Sequence, residues 1–308
     1  MACASTQAAE RALLAPIQCS FIPYRVPYAL GLGLQEHLVA RRARARAELR
    51  AAQLPVYGVE ALPAPLAKAR RIAATDILLL LEHTPVYTLG KRNDQAIGGV
   101  AASGLQADVF QTKRGGLLTY HGPGQLVGYP ILDLGGMGVR IIVTQLSTRC
   151  YIDWLQKCVR ATLEEPPISI ATQDSPSQEA KYTGIWVDDK HKITSFGVHV
   201  RHRITSHGFA LNVLDTALQG FRNIVACGLP DVHLTSIEEQ FQRMNRTMDL
   251  TVPQVGGRVA AHLANVFGRS MELAPETLLT YVPSEKDGEK VLDHVLVDGE
   301  RVDSVTSA

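Results

Sequence analysis

Arg114–Gln125 reads RGGLLTYHGPGQ, and the apolar run Leu126–Leu134 follows it at once. Five of these twelve residues are glycine or proline, a density that bends a chain tightly. Among them stand Arg114, Gly115, Gly116, Leu117, Leu118, Thr119, Tyr120 and His121. That combination places a fixed cation, an aromatic and an imidazole on a backbone whose glycines let a ligand approach the main chain. A turn that serves only as a hairpin has no use for this set of side chains.

Working outward, Asp76–Leu81, apolar throughout after Asp76, reads as a buried strand, closed by Glu82-His83-Thr84-Pro85 and resumed at Val86–Leu89. Downstream, Leu126–Leu134 reads as a strand and Val139–Leu163 as a long helix. A meander follows: Gly184–Val187, a turn at Asp188-Asp189-Lys190, Lys192–Val200, and then His207–Val213. Leu30, Leu34, Leu38 and Val39 recur at helical spacing within Tyr28–Arg50, whose far end is basic, and Pro253–Phe267 is a further helix. The pattern predicts one α+β domain, a mixed and mainly antiparallel sheet flanked by helices. The expected divisions are a tail or transit segment over 1–25, a catalytic domain over 26–270, and a C-terminal extension over 271–308. Variable loops are expected at about 42–72 and 164–180, the second of them polar and mobile.

Composition narrows the class. The chain has 308 residues, is 46% hydrophobic and carries a net charge of +1, so it can bury a full core and advertises neither nucleic acid nor an anionic membrane. Five cysteines without a CxxC pair argue against a disulfide scaffold or a zinc site, and for a reducing compartment. No metal is expected.

Cys227 ends the apolar approach Ile224-Val225-Ala226 at a Gly/Pro turn, where substrate can reach a thiol. A free thiol is only ~3% thiolate at neutral pH, and a neighbouring cation lowers its pKa. Lys192 and His207 are the candidates for that neighbour; spacing alone does not choose between them or bring either to Cys227. The chain lacks GxxxxGK[ST] and GxSxG, so neither a P-loop nor a hydrolase elbow is present.

Taken together these segments resemble the lipoyl(octanoyl) transferases, the LipB-type octanoyl-acyl-carrier-protein to protein N-octanoyltransferases. The matching blocks are Glu82–Gly90, RGGLLTYHGPGQLVGYPILDL from Arg114, Gly184–Val187, Lys192–Val198, His207–Asn212 and Phe221–Gly228, in order, across roughly residues 75–240. The resemblance implies a fold shared with biotin and lipoate protein ligases and an acyl transfer without ATP or other cofactor. It casts Cys227 as nucleophile and Lys192 as the cation that activates it. Arg114–His121, Ser195-Phe196-Gly197 and Gly208-Phe209-Ala210 become the substrate site, the last two as facing walls, with His83 and His207 as further candidates. The implied donor is octanoyl-acyl-carrier protein. The implied acceptors are lipoyl domains of 2-oxoacid dehydrogenases and the glycine cleavage H protein, with no nucleic acid and no membrane involved. Ala226 stands where the family usually has proline, and the extra length suggests a eukaryotic, mitochondrial version, the alternative being a cytoplasmic one. The competing readings are an ATP-dependent lipoate or biotin ligase, a non-catalytic carrier-binding relative, and a cysteine hydrolase.

Overall fold

A computed structural model describes residues 15–58, 60–91, 107–135, 146–177, 179, 182–224 and 231–305. Its elements begin with β1 (Ile17–Phe21), α1 (Tyr28–Ala51), α2 (Ala64–Ala74), β2 (Ile77–Leu81), β3 (Val86–Leu89), β4 (Asp108–Gln111), β5 (Thr119–His121) and β6 (Gln125–Ile131). Then come α3 (Thr148–Glu164), β7 (Gly184–Trp186), β8 (His191–Arg201), β9 (Ile204–Asn212), a 3-10 helix (Asp215–Asn223), β10 (His233–Leu234), α4 (Ile237–Arg243) and α5 (Val252–Phe267). The chain closes with β11 (Met271–Leu273), β12 (Leu279–Lys286), β13 (Glu289–Val297) and β14 (Glu300–Arg301).

The main sheet runs β10-β8-β9-β6-β2-β1-β11, with β7 also pairing β8. Its centre is antiparallel, while β1 lies parallel to both neighbours and β10 parallel to β8. Two small sheets, β4-β3-β5 and β12-β13-β14, complete the fold. Every residue of β2 is buried, and they alternate between two cores. Leu78 and Leu80 join the core that contains residues of α3 and α5; Ile77, Leu79 and Leu81 join the core that contains residues of α1. A strand covered on both faces has no polar side to show, which is why the run reads as continuous apolar sequence.

Capping sets the helix ends. Ser147 accepts a hydrogen bond from the Cys150 amide and starts α3, nine residues later than the sequence expectation of Val139, whose first residues lie outside the described set. Thr251 and Gln254 form a capping box on α5, and Gly268, at φ 61°, ends it in the left-handed region.

Four expectations are corrected. Residues 17–21 are not tail: β1 sits between β2 and β11 in the main sheet, a strand too short and too Ala-flanked to stand out. The segment 42–72 is largely helical, being the end of α1 and most of α2; Pro63 and Pro65 lie at the start of α2, where a missing amide costs nothing. The segment 164–180 is anchored, with Ile168 and Ile170 buried and the Gln173 amide donating to Trp186 O at 2.8 Å. Residues 271–305 belong to the same body, since β11 extends the main sheet and Leu279, Leu292, Val295 and Val297 enter the α1-side core. Cys19 and Cys158 are free and buried, whereas Cys150 is disulfide-bonded, which departs from the expectation of reduced thiols.

Candidate active site

The glycine-rich loop lies across β8. The Gly115 amide donates to Val198 O at 3.1 Å, and a Cβ on Gly197 would come 2.9 Å from Gly115 O. A side chain at 197 would therefore lift the loop off the strand. Between loop and sheet runs a cleft lined by Arg114, Gly116, Leu117, Thr119 and His121 on one side. Opposite stand Lys192, Ser195, Gly197, His207, Gly208 and Ala210.

Ser195 pairs with Ala210, Phe196 with Phe209 and Gly197 with Gly208, as direct cross-strand partners. The two triplets are thus a single floor, not the facing walls expected. Strand alternation puts the small residues Ser195, Gly197, Gly208 and Ala210 on one face, beside Val127 and Tyr129. Phe209 belongs to the core behind the sheet and Phe196 packs against that core, while both also contribute to the cleft lining. Small side chains on one face of two adjacent strands make a trough. The loop is its roof.

The same alternation divides the loop residues. Thr119 and His121 face the cleft, whereas Leu118 and Tyr120 pack with Tyr87, Leu89 and Phe221 in a separate cluster. Tyr120 lies 5.6 Å edge-on from Phe221, and a Cβ on Gly220 would strike its ring, so it seats the 3-10 helix instead of contacting the cleft. Gly115 serves through its backbone.

Arg114 is buried. Its Nη2 donates to Thr88 O at 2.7 Å, Thr88 Oγ1 at 2.8 Å and Leu117 O at 3.0 Å, and its Nη1 to Gly115 O at 3.0 Å. This guanidinium staples the loop's carbonyls as well as lining the cleft. His121 Nδ1 donates to Gln125 Oε1 at 2.7 Å, since Gln125 Nε2 already donates to Tyr120 O and Asn212 Oδ1. Asn212 Nδ2 in turn donates to Thr235 O, and the Thr235 amide donates to Lys192 O. A buried polar chain thus ties the loop to the strand that carries Lys192. Thr119 Oγ1 has no hydrogen-bond partner among the described residues.

Three histidines at or behind the cleft are neutral. Burial lowers His83 to about 4 and His207 to about 3, the latter helped by Arg114. Burial, helped by the Arg114 charge, holds His121 well below its ordinary value. His83 sits behind the lining: its Nδ1 donates to Val26 O at 2.8 Å, so Nε2 accepts from Tyr129 Oη at 2.6 Å. A neutral imidazole carries no fixed positive charge.

Lys192 is 1% exposed, its Nζ 5.6 Å from the Trp186 ring centroid. A Cβ on Gly184 would meet its Cε at 2.2 Å, so the glycine of β7 makes room for the lysine stem. Cys227 lies outside the described residues. Of the residues before and after it, Phe221 packs against Tyr120 and Leu234 of β10 pairs with Lys192.

Sequence reasoning missed Tyr28, Val127, Tyr129 and Thr183, which also line the cleft. Tyr129 carried a signal, since every second residue from Val127 shares a face of β6. Tyr28, at the first turn of a helix far away in sequence, carried none. Among the described residues no cluster of His, Cys, Asp and Glu could hold a metal.

Residues 61–264 match the family model described as the lipoyl protein ligase A/B catalytic domain. An octanoyltransferase of Acidobacterium capsulatum is 36% identical, with 82% of this chain and 94% of the relative aligned. The chain belongs to this family. The human mitochondrial octanoyl-[acyl-carrier-protein]:protein N-octanoyltransferase LIPT2 is 38% identical, with 71% of this chain and 82% of the relative covered. Among solved structures, lipoate-protein ligase A bound with ATP superposes with a TM-score of 0.56 at 12% identity, covering 84% of this chain and 88% of that one. A putative lipoate protein ligase from T. acidophilum gives 0.53 over the same shares. These likenesses show the ligase fold, and this family member builds its cleft on that fold.

Proposed function

We propose that the chain moves an octanoyl group from octanoyl-acyl-carrier protein to a lysine amine on lipoyl-carrier domains, with Cys227 as the intermediate carrier. The observation that carries this reading is Lys192: a lysine only 1% exposed that lines the same cleft as the small-residue trough, in a chain whose relatives are octanoyltransferases. A cation beside the Cys227 thiol raises its thiolate share at neutral pH and with it the nucleophilicity of the sulfur.

In the first step the Cys227 thiolate attacks the donor thioester carbonyl, a C–S bond forms as the donor's C–S bond breaks, and the phosphopantetheine thiolate leaves with a proton taken from Lys192 Nζ, which recovers one from the acceptor amine in the second step. In the second the neutral lysine amine of the acceptor attacks the Cys227 thioester, forming an amide and returning the cysteine. Lys192 Nζ supplies the cation in the first step and a proton relay in the second. The Thr119 hydroxyl, which lines the cleft without a hydrogen-bond partner among the described residues, donates to the thioester oxygen in this scheme. The octanoyl chain lies along Ser195, Gly197, Gly208 and Ala210, where each buried CH₂ contributes roughly 0.8 kcal/mol.

The acceptors are the lipoyl domains of 2-oxoacid dehydrogenases and the glycine cleavage H protein. The location is mitochondrial, as the human relative's name supports. No helix among the described residues is long and apolar enough to cross a membrane. The test is a transfer assay with octanoyl-acyl-carrier protein, a lipoyl domain and no ATP. A gain of one octanoyl mass on the lipoyl domain supports the reading. A strict requirement for ATP and free octanoate replaces it with the ligase reading.

A further inference from the structure

The cleft is not the only cavity among the described residues, and a second one is larger. On the same sheet face, beyond Tyr129 and under the C-terminal half of α1, lies a second cavity of about 470 Å³, a size typical of small-molecule sites. It shares no lining residue with the cleft. Leu38, Ile72, Ile77, Ile131 and Leu278 form its apolar wall.

Its floor carries a charge imbalance. Arg42 is 2% exposed; Nε donates to Ala73 O at 2.8 Å and Nη1 to Asp76 Oδ1 at 2.6 Å. Arg42 Nη2 is buried and has no partner among the described residues. Asp76 also takes the buried Arg269 on its other oxygen. Two buried guanidiniums therefore share one carboxylate, and a buried charge without its counter-ion is strongly unfavourable. The neighbouring Arg46 and Asp133 already neutralise each other. At the rim Arg41 is paired with Asp298, and Glu272 stands near the exposed Arg71. Three arginines against two carboxylates leave the lining with one net positive charge, which suits a monoanion and opposes a dianion such as phosphate.

We propose that this cavity binds a monoanionic amphiphile, a carboxylate on a short aliphatic chain, with the carboxylate on Arg42 Nη2 and the chain along Leu38, Ile77 and Ile131. The site stands apart from the catalytic reading and does not depend on it.

Methyl NMR of isoleucine-labelled full-length protein locates the ligand directly, because Ile72, Ile77 and Ile131 line this cavity and, among the described residues, no isoleucine lines the cleft. Octanoate is expected to shift these three resonances saturably. Uncharged octanamide and inorganic phosphate are each expected to bind at least ten-fold more weakly. Arg42→Met should abolish the shifts. Since that variant risks misfolding, Arg71→Glu at the exposed rim serves as a second one, with about ten-fold weaker octanoate binding expected. Unmoved Ile72, Ile77 and Ile131 resonances at saturating octanoate overturn the proposal. So do equal shifts with octanamide, stronger binding of phosphate than of octanoate, or an unchanged affinity in Arg71→Glu.

Discussion

Lys192 and Arg114 look interchangeable in the sequence, two cations inside glycine-containing motifs, yet their surroundings separate them. Arg114 gives four hydrogen bonds to the groups that shape its loop. Arg114→Ala strands buried carbonyls, and is expected to cost on the order of 3 kcal/mol of stability besides impairing activity. An unchanged urea midpoint would show that the loop does not depend on this staple. Lys192→Met is expected to lower the transfer rate by about 10²-fold or more, the scale of a lost proton-transfer group, measured as kcat on the lipoyl domain. His83 tests burial itself. Its pKa falls on folding to about 4, so it supports the native state above pH ~6.5 and withdraws that support as pH falls toward 4. The loss from this one residue is about 1.4 kcal/mol per pH unit within that window. His83→Gln should flatten the decline of unfolding free energy between pH 6 and 4; an identical slope in variant and wild type would mean that His83 titrates normally in the folded chain.

At the scale of elements, the site is a product of strand register. Pairing Ser195 with Ala210 and Gly197 with Gly208 collects four small residues on one face, whereas their order along the chain suggested two opposed walls. The residues were legible as a set; their geometry was not, because cross-strand pairing is a long-range fact. The period-2 rule would have separated Leu118 and Tyr120 from Thr119 and His121, but Gly115-Gly116 made the loop read as irregular. The chain of hydrogen bonds from His121 through Gln125 and Asn212 to Thr235 spans more than a hundred residues and leaves no local pattern at all. If the trough holds the acyl chain, Ser195→Leu should reduce use of an octanoyl donor by about ten-fold or more in kcat/KM. A butanoyl donor should be affected much less, and the melting temperature should be near wild type because Ser195 is only half-buried. Equal losses for both donors would place the chain elsewhere.

For the whole molecule, the mixed sheet, the helix from Tyr28 and the C-terminal helix were readable from the apolar run of β2, the spacing of Leu30, Leu34 and Leu38, and the amphipathic pattern of Val252–Phe267. β1, α2 and the β12-β13 hairpin were not: the first is five residues, the second begins among prolines, and the third is half exposed and charged. They pack in different places: Ile17 and Cys19 of β1 join the core under α3 and α5, Ala69 and Ala73 of α2 pack with Ala45 and Leu49 of α1, and the hairpin enters the α1-side core, where Ile22, Leu34, Leu79, Leu279 and Val297 meet from five parts of the chain. That packing fixes α1, and α1 carries Tyr28 to the cleft and Arg42 to the second cavity. The covalent route through Cys227 is the central claim, and intact mass tests it most directly. The chain would be mixed with octanoyl-acyl-carrier protein under reducing conditions, without ATP or acceptor, alongside Cys227→Ala. One octanoyl adduct on the wild type and none on the variant is the expected result. An adduct of equal yield on Cys227→Ala, or transfer at the wild-type rate by that variant, would contradict it.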